Sequence, residues 1–562
     1  MLVGAGLPDG VLLAQGVPES GVEYPLPLQI EPALSGNYGE LRANHFHAGL
    51  DFKTQGRTGL PVSCFADGYV HRVGINAYGY GLVLYVRHPQ LGLTSVYAHL
   101  NSFSDKIWQK VRERQVSEEQ NNAALTFEPG EIPLKRGEVL AQSGNTGRSG
   151  GPHLHFELRD CNDEDDAYFD PLPFFLKKIK DTVAPRAEQI YLYPLGGVVS
   201  GSGNRQQAAV VNQGGRNTIG KTFSAWGLIG VGIKAYDHMD GQANIYGVKH
   251  VQLYVDDRLI YDFKENRFRY SETRYTNSLI DYEAWTQQKS MIMKSFIEPG
   301  NQLEMLDHSL GDGTVLINEP RAYVFKYVLT DAHGNRSTVT FNVKGVEQKL
   351  PEPRRHYGKM VEAMRDFTFD TLGCHLHIPA GTLYTDQNLV VQRQIVEGRE
   401  ADLSPIFAVG NKEVPLHSHY DLWLPVGREA LASVERPEQL YALNLDNGVL
   451  TGTFDPMLSQ LKLRVREFGR FVLRRDVEAP TVRIVSMTWN KGQIEFSDKG
   501  AGLKQFKVWI DGKFVPFDMD NTGKYYGRPR LYGISQGKKH TIRIWAIDHC
   551  GNEMTHDATR TF

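Results

Sequence analysis

Apolar and polar positions alternate over short distances through most of this chain. Between residues 45 and 100 the segments HAGLDFKT, PVSCFADGYVHRVG, GLVLYVRHP and LTSVYAHL are rich in β-branched and aromatic residues and separated by Gly, Asn or Pro. That pattern predicts strand after strand. One stretch breaks it: SDKIWQKVRERQVSEEQ is charged almost throughout and opens on Ser104, a suitable N-cap, so it predicts a surface helix. The stretch PGEIPLKRGEVLAQSGNTGRSGGPHLHFELRD then returns to short strands around a Gly-rich loop.

From residue 181 the chain repeats itself. One copy opens with DTVAPRAEQIYLYP, passes through VQLYVDDRLIYDF and closes with YVLTDAHGNRSTVTFNV; the other runs DVEAPTVRIVSMTW, FKVWIDGKFVPFD and IWAIDHCGNEMTHDATRTF. Both share D-x-x-A-P at the start and a strand–D-x-x-G-N–strand hairpin at the end. Asp331 to Asn335 and Asp548 to Asn552 read as turn chemistry, with Gly supplying a positive φ. Pro185 and Pro480 suit edge or linker positions. The copies look like immunoglobulin-like or fibronectin-like sandwiches, the first enlarged by insertions around residues 265–320. Between them lies another β-rich block that contains FTFDTLGCHLHIPAGTL.

Composition narrows the classes. At 562 residues the chain is too long for one core, which implies three to five units. Its net charge of −3 leaves no electrostatic footprint for nucleic acid. Cys64, Cys161, Cys374 and Cys550 are scattered and form no C-x-x-C, so buried thiols are expected rather than a disulfide framework or a cysteine zinc site. No apolar run reaches the ~18–20 residues of a membrane-spanning helix. The start, MLVGAGLPDGVLLAQG, lacks a basic region and is broken by PDG, so it is a poor or truncated signal peptide.

The chemistry-bearing residues are histidines and one aspartate. HFHAGLDF offers His47 and Asp51, and Gly49 between them argues for a loop running into a strand rather than a helix. GPHLHFEL sets His153 and His155 on one face of a strand. Imidazole nitrogen and carboxylate oxygen are both good zinc donors, and a catalytic site keeps three protein ligands and one open position. Each motif alone is weak. The ordered set HAGLD, YGYGLVLYVRHP, YAHL, GNTGRSGGPHLHFE closely resembles the LytM/lysostaphin-type zinc endopeptidases of duplicated-hybrid-motif fold, over roughly residues 35–175.

The resemblance implies an antiparallel β-sheet core with one zinc ion in a groove across it, and cleavage of peptide cross-links in bacterial peptidoglycan. Carried over position by position, His47, Asp51 and His155 are the zinc ligands, and His99 and His153 are catalytic histidines that do not bind metal. His153 is assigned as general base and His99 as oxyanion stabiliser, with the two roles open to exchange. The expected substrate is the peptidoglycan stem peptide; the family resemblance covers glycine bridges in some members and D-alanyl–diamino acid links in others, and the D-alanyl–diaminopimelate link is the one expected here. NHFHAGLDFKT with the appended sandwiches looks most like envelope proteins of Bacteroidetes-type bacteria, which implies export to the periplasm or cell envelope. The C-terminal sandwiches are expected to position the enzyme or bind envelope partners. The rival reading is a non-catalytic envelope scaffold, or an activator of another hydrolase, that keeps the fold.

The expected fold class is mainly β. The expected division is a leader remnant or linker at 1–20, the peptidase at 21–180 with a charged insertion at 103–136, an Ig-like sandwich at 181–345, a β-rich domain at 346–475, and a C-terminal Ig-like sandwich at 476–562. The insertion is expected to be a solvated decoration, or else a roof over the groove. The segment GVEYPLPLQIEPALSGNYG is a possible cover for the site. His45 is expected at the surface or beside the ligands, His71 and His88 as structural residues. The acidic run 160–170 and the group Asp237, Asp240 and Asn244 read as polar turns before they read as cation sites. The second pair, His375 and His377, has no partner motif and reads as strand packing.

Overall fold

The structure, a computed structural model, describes residues 18 and 21–562 apart from 122, 164, 166, 351, 353–356, 397–398 and 520–522. The leader remnant or linker expected at 1–20 therefore lies outside the described residues, except for Pro18. Strands hold 46% of the chain and helices 10%, so the mainly β class holds.

The N-terminal sheet is antiparallel. Its main strands are β1 (Leu34–Gly36), β2 (Leu50–Lys53), β3 (Gly68–Ile75), β4 (Leu82–His88), β5 (Leu93–Leu100) and β6 (His153–Asp160), in the order β1-β2-β6-β5-β4-β3. The central strand β6 follows the two-residue period of its sequence. Leu154, Phe156 and Leu158 enter the apolar core with Phe52 and Tyr97. His153, His155, Glu157 and Arg159 alternate with them and line the opposite face.

The charged insertion forms helix α1 (Asp105–Glu118), with Ser104 extended at its N-cap but making no side-chain cap bond. One side of α1 is apolar: Ile107 and Val111 are buried. The turn beyond it is not a solvated decoration. Asn121, 7% exposed, donates to the Phe506 carbonyl at 2.8 Å and accepts from the Phe517 amide at 3.0 Å. Glu119 receives Lys507 at 2.9 Å and the Trp509 indole N–H at 3.0 Å. The insertion is a clamp on the C-terminal sandwich, because it buries polar groups that only that sandwich satisfies.

Residues 186–345 build a sandwich around the long strand Phe223–Tyr236, which pairs with Arg186–Pro194 along one half and with Arg336–Gly345 near its start. Pro185 and Pro480 each directly precede a strand, Arg186–Pro194 and Thr481–Met487. The segment inserted into this sandwich reaches back onto the N-terminal sheet: Arg267–Phe268 pairs with Tyr168–Phe169. Phe268 is fully buried against Tyr38, Phe46 and Tyr168, at centroid distances of 5.4, 5.3 and 5.0 Å. One apolar cluster consequently runs from Tyr24 to Val343. Residues 361–473 and 487–546 enclose their own cores, each between two sheets.

The acidic run at 160–170 is tied to the same insertion. Asp163 bonds Arg267 at 2.5 Å and Arg269 at 3.3 Å, and Asp165 accepts from Ser271. It is an interdomain contact rather than a free turn. The cysteines are all free thiols.

Candidate metal centre

Asp51 and His155 are cross-strand partners, on β2 and β6, so their side chains leave the sheet on one face. His47 reaches the same point from the turn before β2. That turn passes so close to β6 that a Cβ on Gly49 would sit 2.1 Å from the Phe156 carbonyl oxygen, which is why glycine stands inside HAGLD.

His47 Nε2 lies 3.0 Å from Asp51 Oδ1 and 3.0 Å from His155 Nδ1, and His155 Nδ1 lies 2.8 Å from Asp51 Oδ1. All three residues are buried. Donor atoms on a tetrahedral zinc, at bond lengths of 2.0–2.1 Å, stand roughly 3.3–3.4 Å apart. The three atoms therefore need to open by only a few tenths of an ångström to hold one ion. Two nitrogens and one carboxylate oxygen also form a donor set that suits zinc.

Each imidazole is fixed from behind. His47 Nδ1 donates to the Asn37 carbonyl at 2.6 Å, and His155 Nε2 donates to Glu157 Oε1 at 2.8 Å. Those bonds leave the facing nitrogens with their lone pairs directed at the centre. His153 and His99 follow the same rule. His153 Nδ1 bonds the Gly151 carbonyl at 2.8 Å and its Nε2 faces Asp51 Oδ1 at 3.6 Å. His99 Nδ1 bonds the Thr146 carbonyl at 2.8 Å, from a backbone held at φ +57°. The His99 and His153 rings lie 4.7 Å apart.

Burial holds the His47 imidazole down to about 4. His99 also falls to about 4, through burial first and then the neighbouring His155 and His153. Burial would lower His155 as well, but its bonds to Asp51 and Glu157 outweigh it and push the ring up to about 9. A cation held by the three donor atoms would displace the proton that these bonds favour on His155.

Glu157 was not among the candidates read from the sequence, although HLHFE places it in phase with both histidines. It is completely buried and accepts from His155, from Tyr80 at 2.6 Å and from Arg159 at 2.7 Å. Burial raises its carboxyl, yet Arg159, His155 and Tyr80 together hold it at about 2. Arg42 was also missed; its guanidinium contacts Asp51 Oδ2 at 3.1 Å. Only the tertiary turn before β2 brings it there.

The other histidines stay outside the centre. His45 is exposed and bonds the Ala43 carbonyl at 2.9 Å. His88 is buried between Ser95 and the Asp67 carbonyl, at 2.7 and 2.9 Å. His71 lies edge-on to Tyr69. His375 and His377 are half-buried on the outer face of Cys374–Ile378, whose packing residues are Cys374, Leu376 and Ile378. His375 bonds Asp370 at 2.8 Å and packs on Trp423. Asp237, Asp240 and Asn244 do not converge: Asp240 accepts from Thr182 and Asn244 donates to the Ser35 carbonyl.

Residues 45–124 match the family model of Peptidase family M23, and residues 358–476 match a Zu5-like domain. Over 113 residues the chain is 34% identical to the DD-carboxypeptidase/endopeptidase Mpg of Neisseria meningitidis serogroup B, covering 20% of each protein. Over 128 residues it is 27% identical to the glycyl-glycine endopeptidase ALE-1 of Staphylococcus capitis, covering 23% of this chain and 28% of that one. The chain thus spans 20% and 28% of the length of these two relatives. A zinc-containing peptidase from Vibrio cholerae is 25% identical, with 26% of this chain and 38% of that one covered and a TM-score of 0.19.

Proposed function

We propose, for a chain that carries a peptidase family M23 domain, that it is a zinc-dependent endopeptidase cutting peptide cross-links of bacterial peptidoglycan. The observation that carries this reading is the convergence of His47 Nε2, Asp51 Oδ1 and His155 Nδ1 at 2.8–3.0 Å, with two further histidines beside them. Zinc held by those three atoms would polarise a scissile carbonyl and bring the pKa of water toward ~7.

The chain's own residues then divide the proton work. With Nδ1 committed to the Gly151 carbonyl, His153 keeps its Nε2 lone pair toward the centre, where it takes the proton of the attacking water and returns it to the leaving amine. His99 is assigned to the oxyanion. Its Nδ1–H is committed to the Thr146 carbonyl, so it donates from Nε2 only once protonated there. Glu157 and the Asn37 carbonyl orient the two ligand imidazoles.

The printed activities of the two relatives cover both a DD-carboxypeptidase/endopeptidase and a glycyl-glycine endopeptidase. The higher identity to the first supports the D-alanyl–diaminopimelate link. A cell-wall substrate requires export, to the periplasm or envelope. No helix among the described residues is long and apolar enough to cross a membrane. The C-terminal sandwiches, read as Ig-like, would serve envelope partners.

Purified protein incubated with sacculi should release soluble muropeptides and carry one zinc per chain. Chelator or His155→Ala should abolish release, and His153→Ala or His99→Ala should cut kcat by roughly 10²–10⁴-fold with zinc retained. Robust turnover by His155→Ala would sink the zinc assignment. Little bound zinc and no cleavage, with co-sedimentation on sacculi, would instead establish the scaffold reading.

A further inference from the structure

The two sandwiches each hold a trio of aspartates at matching places in the repeat, all buried in the first and half-buried at Asp498 in the second. Asp181, Asp237 and Asp331 bring one carboxylate oxygen apiece within 4.8 Å of one another, and Asp476, Asp498 and Asp548 do the same. In each trio the first member opens D-x-x-A-P, the second directly follows a strand, Phe223–Tyr236 or Gly492–Ser497, and the third opens the D-x-x-G-N hairpin. The bracing is the same as well. Asn335 donates to the Asp181 carbonyl at 3.1 Å and to Asp331 at 2.7 Å; Asn552 donates to the Asp476 carbonyl at 3.0 Å and to Asp548 at 2.7 Å. First and third members are 150 residues apart in one copy (331 − 181) and 72 in the other (548 − 476). Different loops converge on one carboxylate arrangement.

Turn chemistry does not account for all of it. Asp181 and Asp237 are 7% and 3% exposed, yet Asp181 Oδ2 and Asp237 Oδ1 have no hydrogen-bond partner. In the C-terminal copy Asp498 is half-buried, and its covered Oδ2 has no partner among the described residues. His333 Nδ1 stands 4.0 Å from Asp181 Oδ2 and, among the described residues, makes no hydrogen bond. Among the described residues no lysine or arginine pairs with any of the six. Buried carboxylates without counter-charge are strongly disfavoured and call for a proton or a bound cation.

We propose that each trio is a calcium site. The donors are all oxygen, with no nitrogen or sulfur, which selects a hard divalent cation; calcium's loose coordination also accepts carbonyl and water ligands around three carboxylates. Each site sits where a sandwich joins the part of the chain before it. The Ile179 carbonyl, two residues ahead of Asp181, accepts from His333 Nε2 at 2.7 Å. Asp476 donates its amide to the Gln439 carbonyl at 2.8 Å, and Gln439 donates to Asn552 at 2.9 Å. A bound ion ties the incoming chain, a strand end and the closing hairpin together, so calcium stiffens both junctions.

The test is calorimetric titration of the full-length, zinc-loaded protein with calcium, together with thermal unfolding in calcium and in chelator selective for it. Two saturable sites are expected, with Kd on the order of 10⁻⁴–10⁻³ M as in extracellular modules, and a higher Tm in calcium. Asp237→Asn should remove one site and Asp498→Asn the other. Asparagine is nearly isosteric and removes one repelling charge. If the trios merely share a proton, Asp237→Asn will raise Tm in calcium-free buffer while wild type shows no calcium response, and the proposal fails. It fails equally if no saturable binding appears up to about 10 mM, if magnesium binds in preference, or if the double variant still binds two ions. The wild-type stoichiometry decides even where a variant does not fold.

Discussion

Glu157 carries two obligations at once. It fixes the His155 tautomer at 2.8 Å and neutralises the buried Arg159 at 2.7 Å. Glu157→Gln keeps the shape but gives up the charge. Zinc affinity, read by competition with a chromogenic chelator, should fall by roughly 10–100-fold. Loss of the carboxylate charge beside the buried Arg159 should also cost about 3–5 kcal/mol in denaturant unfolding. Unchanged zinc affinity would remove Glu157 from the centre. His88 makes a different prediction. Burial holds its ring down to about 4, whereas in the unfolded chain it titrates near 6.5. Between those values the unfolded state binds more protons, so stability rises with pH across the window and is lost as pH falls toward 4. The contribution is on the order of 3 kcal/mol. His88→Gln should flatten the slope between pH 4.5 and 6.5; an unaltered slope would show that other groups set it.

At the scale of elements, the two HLH strands show how much one pattern leaves open. Both alternate, and both send their histidines to one face and the intervening residues into a core. β6 is central and faces Asp51 across the ladder, with His47 and His99 on neighbouring segments. The strand Cys374–Ile378 offers its histidines Asp370 and Trp423 instead. The charge of the insertion likewise marks a solvated segment, because charge density along the chain does not reveal what the segment packs against. Its anchor is Asn121 in the following turn, where polarity marks an interface. Asn121→Ala leaves the Phe506 carbonyl and Phe517 amide unpaired and should cost about 1–3 kcal/mol. Faster amide exchange at Phe517 should report the loosened clamp, and unchanged exchange would contradict it.

The whole molecule is knit by segments that cross between its parts. Phe268 belongs to the insertion in the first sandwich and yet completes the core under Phe46, one residue from His47. Phe268→Ala should cost about 3–5 kcal/mol and lower zinc affinity with it; stability lost without any change at the metal centre would mean that the two are uncoupled. Legibility follows the range of the interactions. The strands, the mainly β class, the hairpin turns with Gly334 and Gly551 at positive φ, and the shared face of His153 and His155 were all readable, because alternation and turn chemistry act between near neighbours in sequence. The ordered motifs also named the five residues that the fold gathers. What they could not name were the groups brought in from a distance: Arg42 on Asp51, the insertion clamped on the C-terminal sandwich, and the meeting of Asp237 with Asp181 and Asp331 rather than with Asp240 and Asn244. The sequence by itself determined the local periods and the donor types. Tertiary structure alone decided which donors meet, because strand pairing and domain docking set distances between residues that no local pattern connects.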